Sequence, residues 1–449
     1  MVVFKFLGVF LFSLCFAKVW VAEYEGSLFY DSDLFGYVSE KDWLAIEGAE
    51  KKESILRDFI KQEVAFSEAK KLGLQHNPKT NKKLESRFHS LVVNEYYMRE
   101  FLGSLVPGDG FYFCKKNLKN EVFVSHILFP LGVESFDLAV QTKNQINQGE
   151  NFSSFAENLS IDPSAKNNKG VLGWVSIGQT VPEFQSAVFN LCLGCIDIVK
   201  TDFGYHIIKV DSLRASQYAN LSAPEYSDWA FRFATAYIKE DLPTAAAEHD
   251  SLLVERYGVF ISRAALEGVV LSLKKEKESK GSRRDVDVLR VLGEFEGVVA
   301  KYSGNLLGVE WFVNKINGGL YQKNTFYETV DQIYNEFMRI LIRDIVFSLG
   351  LESGVEKGHS FTKQFSSLEK DILYKAYIKN LIDLVPEPSS IEIENYYNEN
   401  KRETGSLATS SSSIRALLLQ EKQEEVQSLF NERLDSLVKI NFIWLSNNE

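Results

Sequence analysis

The fold of this chain is decided by the region between two similar stretches, Val124-Ser125-His126-Ile127-Leu128-Phe129 and Thr201-Asp202-Phe203-Gly204-Tyr205-His206-Ile207-Ile208-Lys209-Val210. Both are rich in β-branched and aromatic residues, which predicts a strand for each, and each strand carries one histidine. Between them the pattern predicts an amphipathic helix over 136–148, a polar loop with Asp162-Pro163 and a Gly-rich link at 169–174. The sequence therefore predicts a small α+β domain whose two end strands each present one imidazole.

Six short motifs follow one another through this region. They are His126-Ile127-Leu128, Phe152 to Ala156, Ser160 to Ala165, Leu172-Gly173-Trp174, Gly178 to Phe184, and Thr201 to Ile208. Their order resembles the parvulin family of peptidyl-prolyl cis–trans isomerases. The resemblance implies a small antiparallel sheet with helices, an activity on X-Pro amide bonds, and no cofactor.

The resemblance also implies the site residues. The predicted catalytic residues are His126, His206, Thr201 beside the second histidine, and Asp162 near the substrate amide. A slot for the proline ring is predicted to be lined by Leu172, Thr180 and Phe184. Thr180 departs from the family, which has Met there, so the resemblance predicts a looser slot and weaker catalysis.

Each of these residues also fits a purely structural role. His126 and His206 can hydrogen-bond each other and hold two strands together, and Leu172 and Phe184 fit an ordinary core. Asp162 before Pro163 fits a turn or a helix cap. The other four histidines are scattered without the spacing of a metal site, so no metal is predicted.

Length and charge bound the class of protein. A chain of 449 residues predicts two or three domains, and 45% hydrophobic with 25% charged residues is typical of a folded protein. The net charge of −11 argues against a nucleic-acid partner, because binding to phosphates needs a basic face.

The first residues resemble a targeting segment. Lys5 precedes an apolar run from Phe6 to Ala17, which predicts a signal peptide over 1–17. Twelve apolar residues are too few to span a bilayer, but the run extended through Ala22 leaves an uncleaved anchor as the alternative. The folded part is therefore expected to be periplasmic or otherwise extracytoplasmic, and an anchor would attach it to the membrane.

Two cysteines lie close together beside Gly194. Cys192 and Cys195 have redox-pair spacing, but no helix start follows them to lower a thiol pKa. A local disulfide or two incidental thiols is the favoured interpretation over an oxidoreductase site.

The segments on either side of the central domain, 121–214, are predicted to be mostly helical. We expect a helical segment over 18–120, a helical linker region over 215–287 and a C-terminal helical domain over 288–449. Landmarks in the first segment recur in the last: Val21 to Gly26 matches Leu292 to Gly297, and Gly73 matches Gly350. The C-terminal domain is thus predicted to be a degenerate repeat. Its Ser-rich stretch 407–413 predicts a mobile linker, and 414–419 a strand.

Helical segments around a parvulin domain resemble the exported chaperone-isomerases of the SurA, PrsA and PpiD type. The predicted fold class is α+β multidomain, a parvulin domain joined to mostly α-helical chaperone-like domains. The predicted function is an exported isomerase and folding chaperone that binds unfolded or partly folded clients and rotates X-Pro bonds without a covalent intermediate. The alternative is a holdase chaperone whose parvulin domain is weakly active or inactive.

Overall fold

The computed structural model describes residues 19–38, 40–316, 326–400 and 407–441. The predicted signal or anchor segment 1–17 lies outside these residues. No helix in the described ranges is long and apolar enough to cross a membrane. The chain divides into two compact units: one holds the described residues up to Arg87 and those from Phe365 onward, and the other is Phe88–Gln364.

The N-terminal part begins with a hairpin and continues as helices. Its elements are β1 (Trp20–Tyr24), β2 (Ser27–Tyr30), α1 (Asp31–Tyr37), α2 (Glu40–Ala45), α3 (Ala49–Lys71) and α4 (Pro78–Tyr96). The hairpin turns at Glu25-Gly26, where both φ angles are positive, as a tight two-residue hairpin requires. Helix α3 buries one stripe that includes Leu56, Phe59 and Ile60, and this stripe packs with the hairpin residue Val21 in one core.

The central part is a sheet domain preceded by two helices. Its elements are α5 (Leu102–Leu105), α6 (Gly108–Asn117), β3 (Asn120–Phe129), α7 (Val133–Asn147), α8 (Phe152–Leu159), α9 (Ala165–Asn168), β4 (Val171–Ser176), α10 (Pro182–Asn190), β5 (Ile196–Thr201) and β6 (Gly204–Ala215). The strand order is β4-β3-β6-β5 and every pair is antiparallel. Residues of α10 pack on one face of this sheet, and residues of α7 and α8 pack on the other.

The remainder of the second unit is mostly helical around a short sheet. Its elements are α11 (Ala223–Ala234), α12 (Leu242–Arg256), β7 (Phe260–Ile261), α13 (Arg263–Lys280), α14 (Val288–Gly293), β8 (Val298–Tyr302), β9 (Asn305–Gly308), α15 (Val309–Lys315), α16 (Val330–Ser353) and α17 (His359–Asp383), whose end lies in the first unit. The sheet order is β7-β8-β9, antiparallel. Phe312 of α15 stacks on Phe337 of α16 within the largest core.

The last elements in the described part of the chain are α18 (Ser390–Glu399), α19 (Leu407–Leu437) and β10 (Val438–Ile440). The predictions of a mobile linker at 407–413 and a strand at 414–419 are wrong, because both stretches lie within α19. Serine costs a helix only a few tenths of a kcal/mol per residue. Packing of Ile414, which is buried, and the ion pair of Lys422 with Glu392 of α18 outweigh that cost.

The same order of elements occurs twice. A hairpin, a short helix, a long helix ending at a left-handed glycine, a second long helix and a helix of 10 residues run through 20–117 and again through 298–399. The second hairpin turns at Ser303-Gly304, and the second long helix ends at Gly354. The sequence landmarks were therefore misplaced: Leu292 to Gly297 lies before the hairpin, and Gly350 lies inside α16.

These elements confirm the predicted fold class. The chain is an α+β multidomain protein in which small antiparallel sheets are joined to mostly helical segments.

Candidate functional site

The two predicted histidine strands lie side by side at the centre of the sheet. His126 of β3 pairs with Ile208 of β6, and His206 pairs with Leu128. Because alternate residues of a strand share a face, this register places both imidazoles on one face as diagonal neighbours. Each histidine is only 6% exposed, and their Nδ1 atoms are 3.2 Å apart.

A chain of hydrogen bonds joins the four predicted catalytic residues. Thr201 Oγ1 is 2.8 Å from His206 Nε2, and His126 Nε2 is 2.7 Å from Asp162 Oδ2. An ionised Asp162 only accepts, so His126 carries its proton on Nε2 and its Nδ1 accepts. His206 must then donate from Nδ1 and accept at Nε2 from the Thr201 hydroxyl. That hydroxyl oxygen in turn accepts the Phe203 N–H at 3.1 Å. One arrangement of protons thus satisfies every member with both rings neutral.

Burial and charge keep this arrangement in place. Burial is the main cause that lowers the pKa of His206 to about 4, and the nearby His126 is the second. The ring of His206 therefore stays neutral at physiological pH. Burial alone raises the pKa of Asp162, but hydrogen bonds accepted from Ser164 and His126 outweigh it and leave the pKa below its ordinary value. Asp162 is therefore a carboxylate that orients His126.

Asp162 forms the local turn predicted for it and also contacts His126. Its Oδ1 accepts the backbone N–H and the hydroxyl of Ser164, each at 2.9 Å, which closes a local turn. Its other oxygen reaches His126. Ser160, which sequence reasoning did not single out, accepts the N–H groups of both Asp162 and Leu128 and fastens this loop to β3.

The three predicted slot residues differ in exposure. Phe184, on α10, is 3% exposed and presents its ring edge-on to both His126 and His206, with ring centroids 6.0 and 5.2 Å apart. Leu172, on β4, is 38% exposed. Thr180 precedes α10, and its hydroxyl oxygen is buried without a hydrogen-bond partner in the described part of the chain. The structure therefore joins the ring of Phe184 to both histidines.

The loop before β4 closes tightly on His126. Gly170 has φ +83°, and its carbonyl accepts the His126 N–H at 2.8 Å. A Cβ at this position would lie 2.5 Å from the His126 carbonyl oxygen and 2.7 Å from Ala156 Cβ. Only glycine combines this backbone angle with this approach.

A disulfide lies outside this cluster. Cys192 and Cys195 are joined to each other, and Cys114 is a buried free thiol whose burial raises its pKa to about 12. No cluster of potential metal ligands occurs among the described residues.

The comparisons with known proteins coincide with this sheet domain. Residues 112–214 match the family described as PPIC-type PPIASE domain. The chain carries a parvulin-type isomerase domain. The match includes α6, so it begins before the predicted boundary at residue 121.

Relatives of the parvulin domain are isomerases and foldases by name. The chain is 36% identical over 155 residues to the foldase protein PrsA of Geobacillus kaustophilus, covering 34% of this chain and 52% of that protein. It is 30% identical over 167 residues to a parvulin-like PPIase of Rickettsia conorii, covering 35% and 58%. The chain thus spans about half the length of these curated relatives. Among solved structures it resembles NmPin, the parvulin of Nitrosopumilus maritimus, with 36% identity, coverage of 21% and 97%, and a TM-score of 0.19.

The buried, neutral His206 makes the parvulin domain sensitive to acid. His206 has a folded pKa of about 4 against an ordinary 6.5, so between these values the unfolded chain binds one more proton than the folded chain. Stability should therefore fall as pH is lowered from 6.5 towards 4, by up to about 1.4 kcal/mol per pH unit and per histidine. Outside the parvulin domain, His89 of α4 destabilises the whole chain in the same pH window, since burial and Arg343 lower its pKa to about 4.

Urea unfolding midpoints of the wild type and His206→Asn between pH 7 and 4.5 test this prediction. The stability of the variant should change less steeply with pH, by a slope that corresponds to about one bound proton. Parallel pH profiles for the two proteins would show that His206 is not held neutral.

Proposed function

We propose that this chain is an exported folding factor whose parvulin domain rotates X-Pro amide bonds without a covalent intermediate. Its helical segments would bind unfolded or partly folded clients that contain such bonds. One observation carries the isomerase part: the hydrogen-bonded chain from Thr201 to Asp162 lies against the ring of Phe184. Five of the residues predicted for one site contact one another there: His126, Asp162, Thr201, His206 and Phe184.

Isomerisation of an X-Pro amide requires no covalent bond between the site and the substrate. Rotation about an X-Pro amide meets a barrier of about 18–20 kcal/mol because resonance must be broken. The planar amide owes much of its dipole to that resonance, and the twisted amide has lost it. A dry, apolar slot therefore disfavours the planar forms relative to the twisted one, and no bond needs to be made.

The residues have separate roles in this proposal. Phe184 and Leu172 supply apolar surface for the pyrrolidine ring. His126 and Asp162 form the polar side of the site near the rotating carbonyl, and His206 with Thr201 act through His126 as positioning residues. Because both rings are neutral and mutually satisfied, the site is rigid and needs no proton transfer.

Export and client binding are supported by two further observations. The foldase protein PrsA matches the chain beyond the sheet domain, since its alignment covers 155 residues. The disulfide Cys192–Cys195 favours an oxidising compartment outside the cytoplasm. We therefore propose a periplasmic or otherwise extracytoplasmic location, reached by the predicted segment 1–17, with retention at the membrane if that segment is not removed.

We also propose that the helical flanks arose by duplication. The two hairpins, the two long helices that end before Gly73 and Gly354, and the two ten-residue helices α6 and α18 correspond in order and closely in length. Each hairpin gains a third antiparallel strand, β10 on β1 and β7 on β8. In this proposal the chain carries two related client-binding segments around one parvulin domain, with 215–287 as the connecting region.

Thr180→Met tests whether the one departure in the slot limits catalysis. The thioether would replace a buried hydroxyl that has no described partner and add apolar contact to the proline ring. We expect kcat/KM on an X-Pro peptide to rise severalfold, with suppression of client aggregation unchanged. Lower activity would mean that the hydroxyl serves the substrate. Activity absent from both proteins, with client binding retained, would support the holdase alternative.

A further inference from the structure

A helix outside the sheet domain covers the loop that leads into α10. This loop, residues 177–181, connects β4 to α10 and includes Thr180. The ring of Phe233, from α11, lies on Gly178 so closely that a Cβ there would be 2.2 Å from the ring. Gly178 also has φ +90°, so both the contact and the backbone angle require glycine.

Hydrogen bonds tie the same loop to Tyr237, which follows α11. The Gly178 N–H donates to Gln185 Oε1 at 2.5 Å, and Gln185 Nε2 donates to the Tyr237 hydroxyl at 2.9 Å. The hydroxyl also lies 3.3 Å from Ser186 Oγ. Gln185 is only 1% exposed, so without Tyr237 its amide would lose a partner in a buried place.

Tyr237 is itself held in place from α6. Its ring packs with Phe113, at a centroid distance of 6.0 Å, and its Cβ lies against Gly110, where an added Cβ would be 2.9 Å away. These residues belong to one core with Ile177 of the loop and Phe189 of α10. The helices before and after the sheet domain, α6 and α11, thus share a core with α10 and hold it in place.

We propose that Tyr237 is a positioning residue for the proline slot, acting through Gln185. The inference rests on the proposed isomerase function, because the loop carries Thr180 and α10 carries Phe184, next to Gln185. When the Gln185 amide is held in place, Thr180 and Phe184, the two walls of the slot, keep a constant position relative to each other. The slot of this chain is therefore completed by a residue that lies outside the sheet domain.

The full-length chain with Tyr237→Phe tests the proposal. The change keeps the ring and removes the hydroxyl that accepts from Gln185. The slot walls contact the proline ring in the planar and the twisted amide alike, so KM for an X-Pro peptide should rise threefold or more while kcat changes less than twofold. Amide hydrogen exchange at Gly178 should accelerate in the same variant, because its acceptor is no longer held.

Tyr226→Phe is the matched control. Tyr226 lies on α11, packs against the same core, and donates its hydroxyl to the Lys115 carbonyl, with no bond to Gln185. It should leave KM and Gly178 exchange at wild-type values. A merely structural role would lower kcat through a smaller folded fraction in both variants and leave KM unchanged, which would overturn the proposal.

The outcomes also separate this proposal from the isomerase function. Wild-type protein without isomerase activity would contradict the proposed function. Active wild type with an unchanged KM and unchanged Gly178 exchange in Tyr237→Phe would contradict only the role of Tyr237.

Discussion

Phe184→Ala should lower kcat/KM for an X-Pro peptide by at least tenfold, which corresponds to about 1.4 kcal/mol of transition-state binding. Phe184 is a large apolar side chain whose ring contacts both histidine rings. Its removal takes away slot surface and opens the histidine pair to water. A protease-coupled isomerisation assay measures the effect, with circular dichroism to confirm that the variant is folded.

Val188→Ala is the control for this prediction. Val188 is fully buried on the same helix and in the same core cluster as Phe184. It therefore weakens the packing of α10 without removing a ring from the histidines. Equal losses of activity in the two variants would assign the effect to the helix and not to the slot.

A fragment of residues 106–238 should be more stable than one of residues 121–214, by about 3 to 5 kcal/mol. The shorter fragment keeps the sheet and the cores on both of its faces, so it is expected to fold. It loses α6 and α11, and with them the cover over Ile177 and Phe189. Burial of a large apolar side chain stabilises a fold by about 1.5 to 3 kcal/mol.

Urea unfolding of the two fragments measures this difference. The shorter fragment should also show the higher KM, because it lacks Tyr237. Equal midpoints would mean that the flanking helices do not support the sheet domain. Absence of a cooperative transition in the shorter fragment, with one in the longer, would place the domain boundary outside 121–214.

Much of the site could be predicted because its residues carry local signals. His126 and His206 lie in stretches whose β-branched and aromatic residues predict strands. Pairing of these two strands brings the histidines together. Asp162 precedes a proline in a polar loop, where a carboxylate that caps its own turn is expected. The resemblance to parvulins then assigned these residues to one site.

Tyr237 could not be predicted, because no residue near it in the sequence indicates a contact with the sheet domain. It lies 52 positions from Gln185, and their hydrogen bond exists only after α11 packs against α10. Gln185 looked like an ordinary helix residue for the same reason. Gln185 stands between Phe184 and Ser186 in the sequence, so only its burial marks it out, and burial is not visible before the fold is known.

The errors in the flanks also have tertiary causes. The serines before Ile414 predicted a linker, and packing against α18 made them helical. The sequence matched Gly350 with Gly73, but Gly350 lies inside α16, which runs on to Ser353. Gly350 lies against Val92, where an added Cβ would be 2.7 Å away, so it serves close packing and not termination.

Rotation of X-Pro bonds is the central activity in the proposed function of this chain. Exchange spectroscopy on a proline peptide, with catalytic amounts of the purified protein, measures interconversion of the cis and trans signals at equilibrium. Without a catalyst the exchange takes tens of seconds. We expect cross-peaks at sub-second mixing times with the wild type and their loss with Phe184→Ala. A folded wild-type protein that leaves the exchange at the uncatalysed rate would contradict the proposed function.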